Sequence, residues 1–436
     1  MQKLFSSIAV VIILVLCLSA TAQEKITLKD AIQNALKNSY DIKLVENSAT
    51  IAKNNNDYGV AGALPTITAN ANDNKTSSTI QQKFNDVTRN TTKPGVSGNT
   101  LNGGVTAAIT IFNGYRIQTT KERLAMLENQ SNSFLQTQIQ NTTATVMQQY
   151  YNIVRQQAYL TTIEKSIEAS QQRLDIVKAK QKIGVANEAD LLQSNLDLNA
   201  LLQAKQNQLL VIDQAKDDLL NTMVMTAGTA IIISDSILVD GKLNYKDIEA
   251  KSLLNPSLQS AEQQIKINQL LEKETRALMY PTLRASTGYN YNSSQSEAGF
   301  SLLNQTYGLF FGVNLSIPLY AGSASKKTYS NAKINTASAN MQYQNAVTKM
   351  STNVSKTFQA YQTSVKQLNT ETENYQMSQS LLNLVMQKFQ LGQATIVDVK
   401  QAQQSFEAAG FRLVSLLYTA KVAEVELKRL SNQLAF

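Results

Sequence analysis

The chain has 436 residues, with 40 Lys and Arg against 32 Asp and Glu, giving a formal charge of +8; it holds one cysteine, no histidine and no tryptophan. That inventory excludes Ser-His-Asp and Cys-His catalysis and the usual zinc sites. The basic residues are spread along helical stretches without a Lys/Arg run or a glycine-rich phosphate loop, and no close carboxylate pair sits in a pocket-like setting. No enzyme activity, no cofactor, no metal and no nucleic-acid partner is therefore expected.

Residues 1–22 read as a signal peptide: Lys3, an apolar run from Ile8 to Leu18, and the small-x-small site Ala20-Thr21-Ala22. Cleavage after Ala22 removes Cys17 and Lys3, which leaves a charge of 8 − 1 = +7 and no thiol. Lipidation at Cys17 is disfavoured by the bulky Leu16 before it. No later stretch reaches about 18 consecutive apolar residues, so a membrane role has to come from strands.

Two structural repeats follow, at 23–227 and 246–436, joined by an inter-repeat segment at 228–245. In the first, a helix opens at Lys29-Asp30 and runs to about Gly59. A strand pair is expected at 64–80 and 103–113, with the Asn-, Thr- and Ser-rich stretch Asp73–Gly103 as an exposed connection. Between Tyr115 and Ala227 there is no proline, and Gly184 is the only glycine. The composition there favours helix, so 115–227 reads as a long helical hairpin with its tip at 184, the first arm about 100 Å long. The segment 228–245, with Ile231-Ile232-Ile233, reads as a connection with a small strand. The second repeat restates the plan: a helix from Lys246-Asp247 to about Met279, strands at 282–292 and 307–320, an exposed loop Asn292–Thr306, and a hairpin at 322–433 with its tip at 392.

The duplication is exact in spacing from 104 to 401. Gly104, Ile109, Gly114, Lys180, Gly184 and Asp190 recur 208 residues later as Gly312, Ile317, Gly322, Lys388, Gly392 and Asp398. A heptad frame is carried over as well, from Ile153, Leu160, Ile167 and Leu174 to Tyr361, Leu368, Tyr375 and Leu382. The strands alternate: Val105, Ala107, Ile109 and Ile111 oppose Thr106, Ala108 and Thr110, and Phe311, Val313, Leu315, Ile317 and Leu319 oppose Gly312, Asn314 and Ser316. Alternation suits a membrane barrel and a half-buried soluble sheet equally. Four strands cannot close a wall in hydrocarbon, where open edges are forbidden and barrels begin at about eight strands. Pooling strands as a homotrimer would give twelve strands and twelve helical arms with every edge paired.

On these features the chain resembles the TolC-type outer-membrane efflux proteins over essentially all of its mature length. The duplicated layout carries the resemblance, with Pro65 and Pro281 before strands and Phe112-Asn113-Gly114 and Tyr320-Ala321-Gly322 after them. So do the tip signatures Lys182-Ile183-Gly184-Val185 with Asp190-Leu191, and Gln390-Leu391-Gly392-Gln393 with Asp398-Val399. The resemblance implies a mainly α fold with a β-barrel part. Each chain would be a duplicated protomer of a trimeric α-barrel/β-barrel channel with a mixed equatorial domain. It implies an outer-membrane exit channel of a tripartite efflux or type I secretion system, with its helical tunnel in the periplasm. The partners it implies are outer membrane lipid, a periplasmic adaptor and an inner-membrane transporter of RND, ABC or MFS type. At the tips, Ile183, Gly184, Val185, Leu391, Gly392 and Gln393 would meet the adaptor. Asp398 would form a negative ring at the pore entrance, with Gln401, Phe389 and Asp190 nearby; the plainer role for both aspartates is a favourable charge at a helix N-terminus. The family's latch residues are not reproduced, because its arginine, tyrosine and second entrance aspartate fall on Ala394, Phe389 and Gln401. Closure would then rest on other contacts, such as packing by Leu391 and Phe389. A trimeric coiled-coil surface adhesin, or a periplasmic coiled-coil scaffold, is the alternative; the adhesin would group all four strands at the C-terminus, and a scaffold would not need lipid-style strands.

Overall fold

The computed structural model describes residues 24–298 and 301–434; the expected signal peptide at 1–22 lies outside them. In chain order the elements are β1 (Glu24–Lys25), α1 (Leu28–Asn38), α2 (Tyr40–Asn55), β2 (Thr66–Gln82), β3 (Thr91–Phe112), α3 (Arg116–Lys182) and α4 (Glu188–Thr222). The second half has β4 (Ile231–Ile232), α5 (Tyr245–Ser252), α6 (Pro256–Ala277), β5 (Thr282–Ser296), β6 (Leu303–Ser316), α7 (Ala324–Gln390) and α8 (Ile396–Leu430). The two hairpins have identical arm lengths, 67 and 35 residues.

The repeat extends to backbone conformation. Positive φ occurs at Gly114, Tyr115, Gly184 and Val224, and again 208 residues on at Gly322, Ser323, Gly392 and Asn432. Residues 24–47, 133–259 and 345–434 form one compact unit, and 48–132 with 260–344 form the other, so each unit takes material from both repeats.

The first unit holds two cores that correspond to each other under the same offset. Val146, Ile153, Ala215 and Leu219 are buried with Ile26, Ala31 and Ile231 in one; Val354, Tyr361, Ala423 and Leu427 are buried with Ile248 and Leu258 in the other. Thus each shorter helical segment is clamped onto the root of its own long hairpin. The short strands β1 and β4 pair in parallel, which places Glu24–Lys25 against the inter-repeat segment. That segment is pinned by side chains that satisfy its otherwise unpaired backbone. Gln157 donates to the Ile233 carbonyl at 3.2 Å, Lys421 to that of Leu238 at 2.8 Å, and Tyr361 to that of Asp240. The Asp235 carboxylate accepts from the Tyr150 hydroxyl at 2.5 Å; burial first, and then Asp235, push that phenol well above its ordinary pKa.

Each short helical segment is two helices where the sequence reading expects one. Ser39 is extended between α1 and α2. The second break falls before Pro256, which starts α6 where a missing N–H costs nothing.

The second unit contains one antiparallel sheet in the order β2-β3-β5-β6. Its strands exceed expectation: β2 and β3 pair from Thr66↔Ala108 out to Gln82↔Thr91, so most of the stretch 73–103 is strand rather than exposed loop. The apolar alternation stops near Ala71, but Asn, Thr and Ser on both faces still permit backbone pairing. A pattern search keyed to one apolar face therefore ends too soon. The connection Asn292–Thr306 shrinks in the same way, since β5 runs to Ser296 and β6 starts at Leu303. At its other end β6 stops at Ser316, short of the expected 320; Pro318 has no N–H to continue a ladder, so Ile317 and Leu319 lie past the strand.

Candidate functional site

The first candidate region is the pair of hairpin tips. Gly184 has φ +77° and Gly392 φ +79°, and no atom lies within 4 Å of where either would carry a Cβ, so backbone conformation rather than space selects glycine. The next residue closes the turn back onto the helix end: Val185 N–H donates to the Lys180 carbonyl at 2.9 Å, and Gln393 N–H to that of Lys388 at 2.8 Å. The returning helices start differently. Asn187 Oδ1 caps α4 by accepting from Asp190 N at 2.8 Å. In α8, Thr395 and Asp398 form a reciprocal box: Asp398 Oδ2 accepts from Thr395 N and Oγ1, both at 2.8 Å, and Thr395 Oγ1 accepts from Asp398 N at 3.2 Å. The Thr395 backbone N–H, then its hydroxyl, hold the Asp398 carboxyl below its ordinary pKa.

Ile183, Val185 and Leu391 are 74, 71 and 73% exposed, and Gln393, Asp398 and Gln401 are exposed beside them. Asp190 is half-buried. Phe389, expected at the entrance, is instead buried with Val177, Met386 and Val399, where the two tips pack on each other. Lys180 of the first hairpin lies 4.2 Å from its ring centroid and donates to its carbonyl.

Thirteen residues past Gly184 lies a junction that sequence reasoning missed. Asp197 on α4 accepts from Arg173 on α3 at 2.8 Å, from Lys400 on α8 at 2.9 Å, and from Gln193 at 2.8 Å. Arg173 is fully buried, and its Nε and Nη1 have no hydrogen-bond partner among the described residues. Burial pushes the Asp197 carboxyl up, but hydrogen bonds from Lys400 and Gln193 and the charges of Arg173 and Lys400 outweigh it, so its pKa lies below the ordinary carboxylate value. One carboxylate thus ties the first hairpin to the second. A charged residue one position before the apolar seam residue Leu174 was the available signal.

The four long helices contact one another along their lengths, and besides the tip contacts above α3 meets α7 where Lys165 donates to the Tyr375 hydroxyl at 3.1 Å. α3 touches α4 through Lys205–Glu164 at 2.8 Å and touches α8 through Tyr159–Phe411, with ring centroids 5.1 Å apart. α8 in turn meets α7 through Arg412–Glu371 at 2.9 Å. α4 and α7 also carry exposed apolar stripes, at Leu192, Leu196 and Leu210 and at Met377, Leu381 and Leu384. These are helical spacings of one face, the signature of a helix seam.

The second candidate region is the sheet. Cross-strand partners share a face; the partners Val105↔Tyr289, Tyr289↔Leu309, Ala285↔Val313 and Leu283↔Leu315 define the apolar one. It is bare: Phe311 is 83% exposed and Ile67 72%. The opposite face, over 66–78, 98–110, 284–296 and 304–316, is built of Gly, Ser, Thr and Asn, with Ala108, Arg284 and Phe310 the exceptions. The outer edges of β2 and β6 are unpaired among the described residues. A sheet with one bare apolar face, one polar face and two open edges is a segment of a lipid-facing wall.

Residues 31–226 and 250–433 match the family described as outer membrane efflux protein. The chain belongs to that family. This efflux protein therefore resides in the outer membrane and is a channel-fold protein, not an enzyme. Its fold is also that of solved outer membrane proteins. The CmeC outer membrane channel of Campylobacter jejuni is 15% identical, with 93% of this chain and 85% of that one covered and a TM-score of 0.75. For VceC of Vibrio cholerae the figures are 14%, 93%, 95% and 0.73. For the open state of the MtrE outer membrane channel of Neisseria gonorrhoeae they are 17%, 93%, 88% and 0.71. No curated protein matches the sequence. No helix among the described residues is long and apolar enough to cross a membrane.

Proposed function

We propose that the protein is a homotrimeric exit duct that conducts substrates passively from a periplasmic adaptor and an inner-membrane transporter to the exterior, in a tripartite efflux or type I secretion system. One observation carries this: each chain supplies a four-stranded sheet with a bare apolar face and two open edges, which hydrocarbon does not tolerate. Three copies, at four strands each, supply twelve and leave every edge paired. The helices make the same demand independently, since α4 and α7 each present an apolar stripe left exposed among the described residues. Joining α4 of one protomer to α7 of the next would close a ring of twelve arms. The exposed Ile183, Val185 and Leu391 are the adaptor's landing surface, with Gly184, Gly392 and Gln393 shaping the turns. Asp398 and Gln401 face the entrance. There Asp398 stays ionised because its own capping box stabilises the carboxylate, and three copies would favour cations. Cross-linking the tip through Ile183→Cys, while the cells express the cognate transport machinery, tests the adaptor contact. Capture of an adaptor supports the reading, and cross-links confined to other copies of this chain oppose it.

A further inference from the structure

The polar face of the sheet carries a residue that a water-lined wall does not need. Phe310 is the only large apolar side chain on that face over the stretches given above, and the flanking positions on its strand and face are Gly308 and Gly312. Its cross-strand partner is Gly288. The ring lies over that glycine: a Cβ on Gly288 would come within 2.8 Å of Phe310 Cε1 and 2.3 Å of the Val105 carbonyl oxygen. The half-buried ring thus reaches over Gly288 of the neighbouring strand, with no side chain at Gly308 or Gly312 to flank it on its own strand. It is an aromatic surface, partly open, among hydroxyls and amides. Rings of this kind attract other π systems in stacked or edge-on geometry.

We propose that Phe310 is a stacking subsite on the exit path, at which planar aromatic solutes pause as they leave. The proposal rests on the reading that the polar face lines water, and its test separates the two. Purified protein in planar lipid bilayers is exposed to ethidium, and the dwell time of current blockades is measured. Tetrapropylammonium, a cation without a ring, serves as the control. Phe310→Ala is expected to shorten ethidium dwell times about two- to tenfold, the range of one aromatic contact, and to leave tetrapropylammonium unchanged. Phe310→Tyr should retain the wild-type dwell and Phe310→Leu should not, a comparison that stands even if the alanine variant fails to assemble. Absent ethidium blockades in a conducting wild-type channel would overturn the proposal. So would wild-type dwell times in Phe310→Leu, or a Phe310→Ala channel that is less heat-stable yet blocks normally, which would mean the ring only shields Gly288. A wild-type protein that conducts no ions at all would instead refute the duct reading.

Discussion

Replacing Asp197 with alanine removes the one carboxylate that bridges Arg173, Lys400 and Gln193. The two cations differ in what they lose. Lys400 keeps solvent access, so its pair is worth less than about 1 kcal/mol. Arg173 has a side chain only 1% exposed and would lose its hydrogen-bonded counter-charge, keeping only the charge of Glu407 nearby, at a cost of up to about 3–5 kcal/mol. Hydrogen exchange resolved along the helices is the suitable assay, because the loss is local to the hairpin ends. Amides flanking 173, 197 and 400 should exchange up to about 100- to 3,000-fold faster in Asp197→Ala, at a tenfold change per 1.4 kcal/mol. The double variant Arg173→Met, Asp197→Leu should recover most of that protection, since an apolar pair of similar volume carries no desolvation cost. The acid dependence has a fixed sign. The folded-state pKa of Asp197 is depressed, so its contribution is complete above the unfolded carboxylate value near about 4 and is lost as pH falls through the lower folded value. Unchanged exchange in the single variant, or a double variant as labile as the single one, would refute the reasoning.

Val224 ends α4 at φ +57°, a conformation that a β-branched residue adopts at a cost. Val224→Gly should therefore stabilise the protein by about 0.5–1 kcal/mol after glycine's greater unfolded-state entropy is subtracted. Asn432→Gly, at the equivalent position with φ +54°, should gain less, and thermal unfolding followed by helical circular dichroism checks both. Asp398→Ala should reduce the cation preference of the reconstituted channel, read as a shift of the reversal potential in a salt gradient; an unchanged potential removes Asp398 from that role.

The features legible in the sequence are those that depend on spacing along the chain. Gly184 and Gly392 mark the helix turns, and Pro65 and Pro281 immediately precede β2 and β5. The family and its fold follow from that layout. Strand length was not legible past Ala71, because polar residues on both faces erase the period-2 signal while the ladder continues to Gln82. Asp197 was missed because its partners Arg173 and Lys400 are 24 and 203 positions away, separations that no local pattern reports. Phe389 looked like an entrance residue from its place beside the tip, but a helix face is set by rotation, and that rotation turns it under Lys180. Phe310 was readable in principle: strand parity alone puts it on the polar face.

The mass of the detergent-extracted particle, measured on the same preparation that is then inserted into a bilayer, tests the central claim most directly. A particle of three chains that passes ions in discrete unitary steps is the predicted result. A single chain that stays folded in detergent would mean that one sheet closes without partners, and the account would be contradicted.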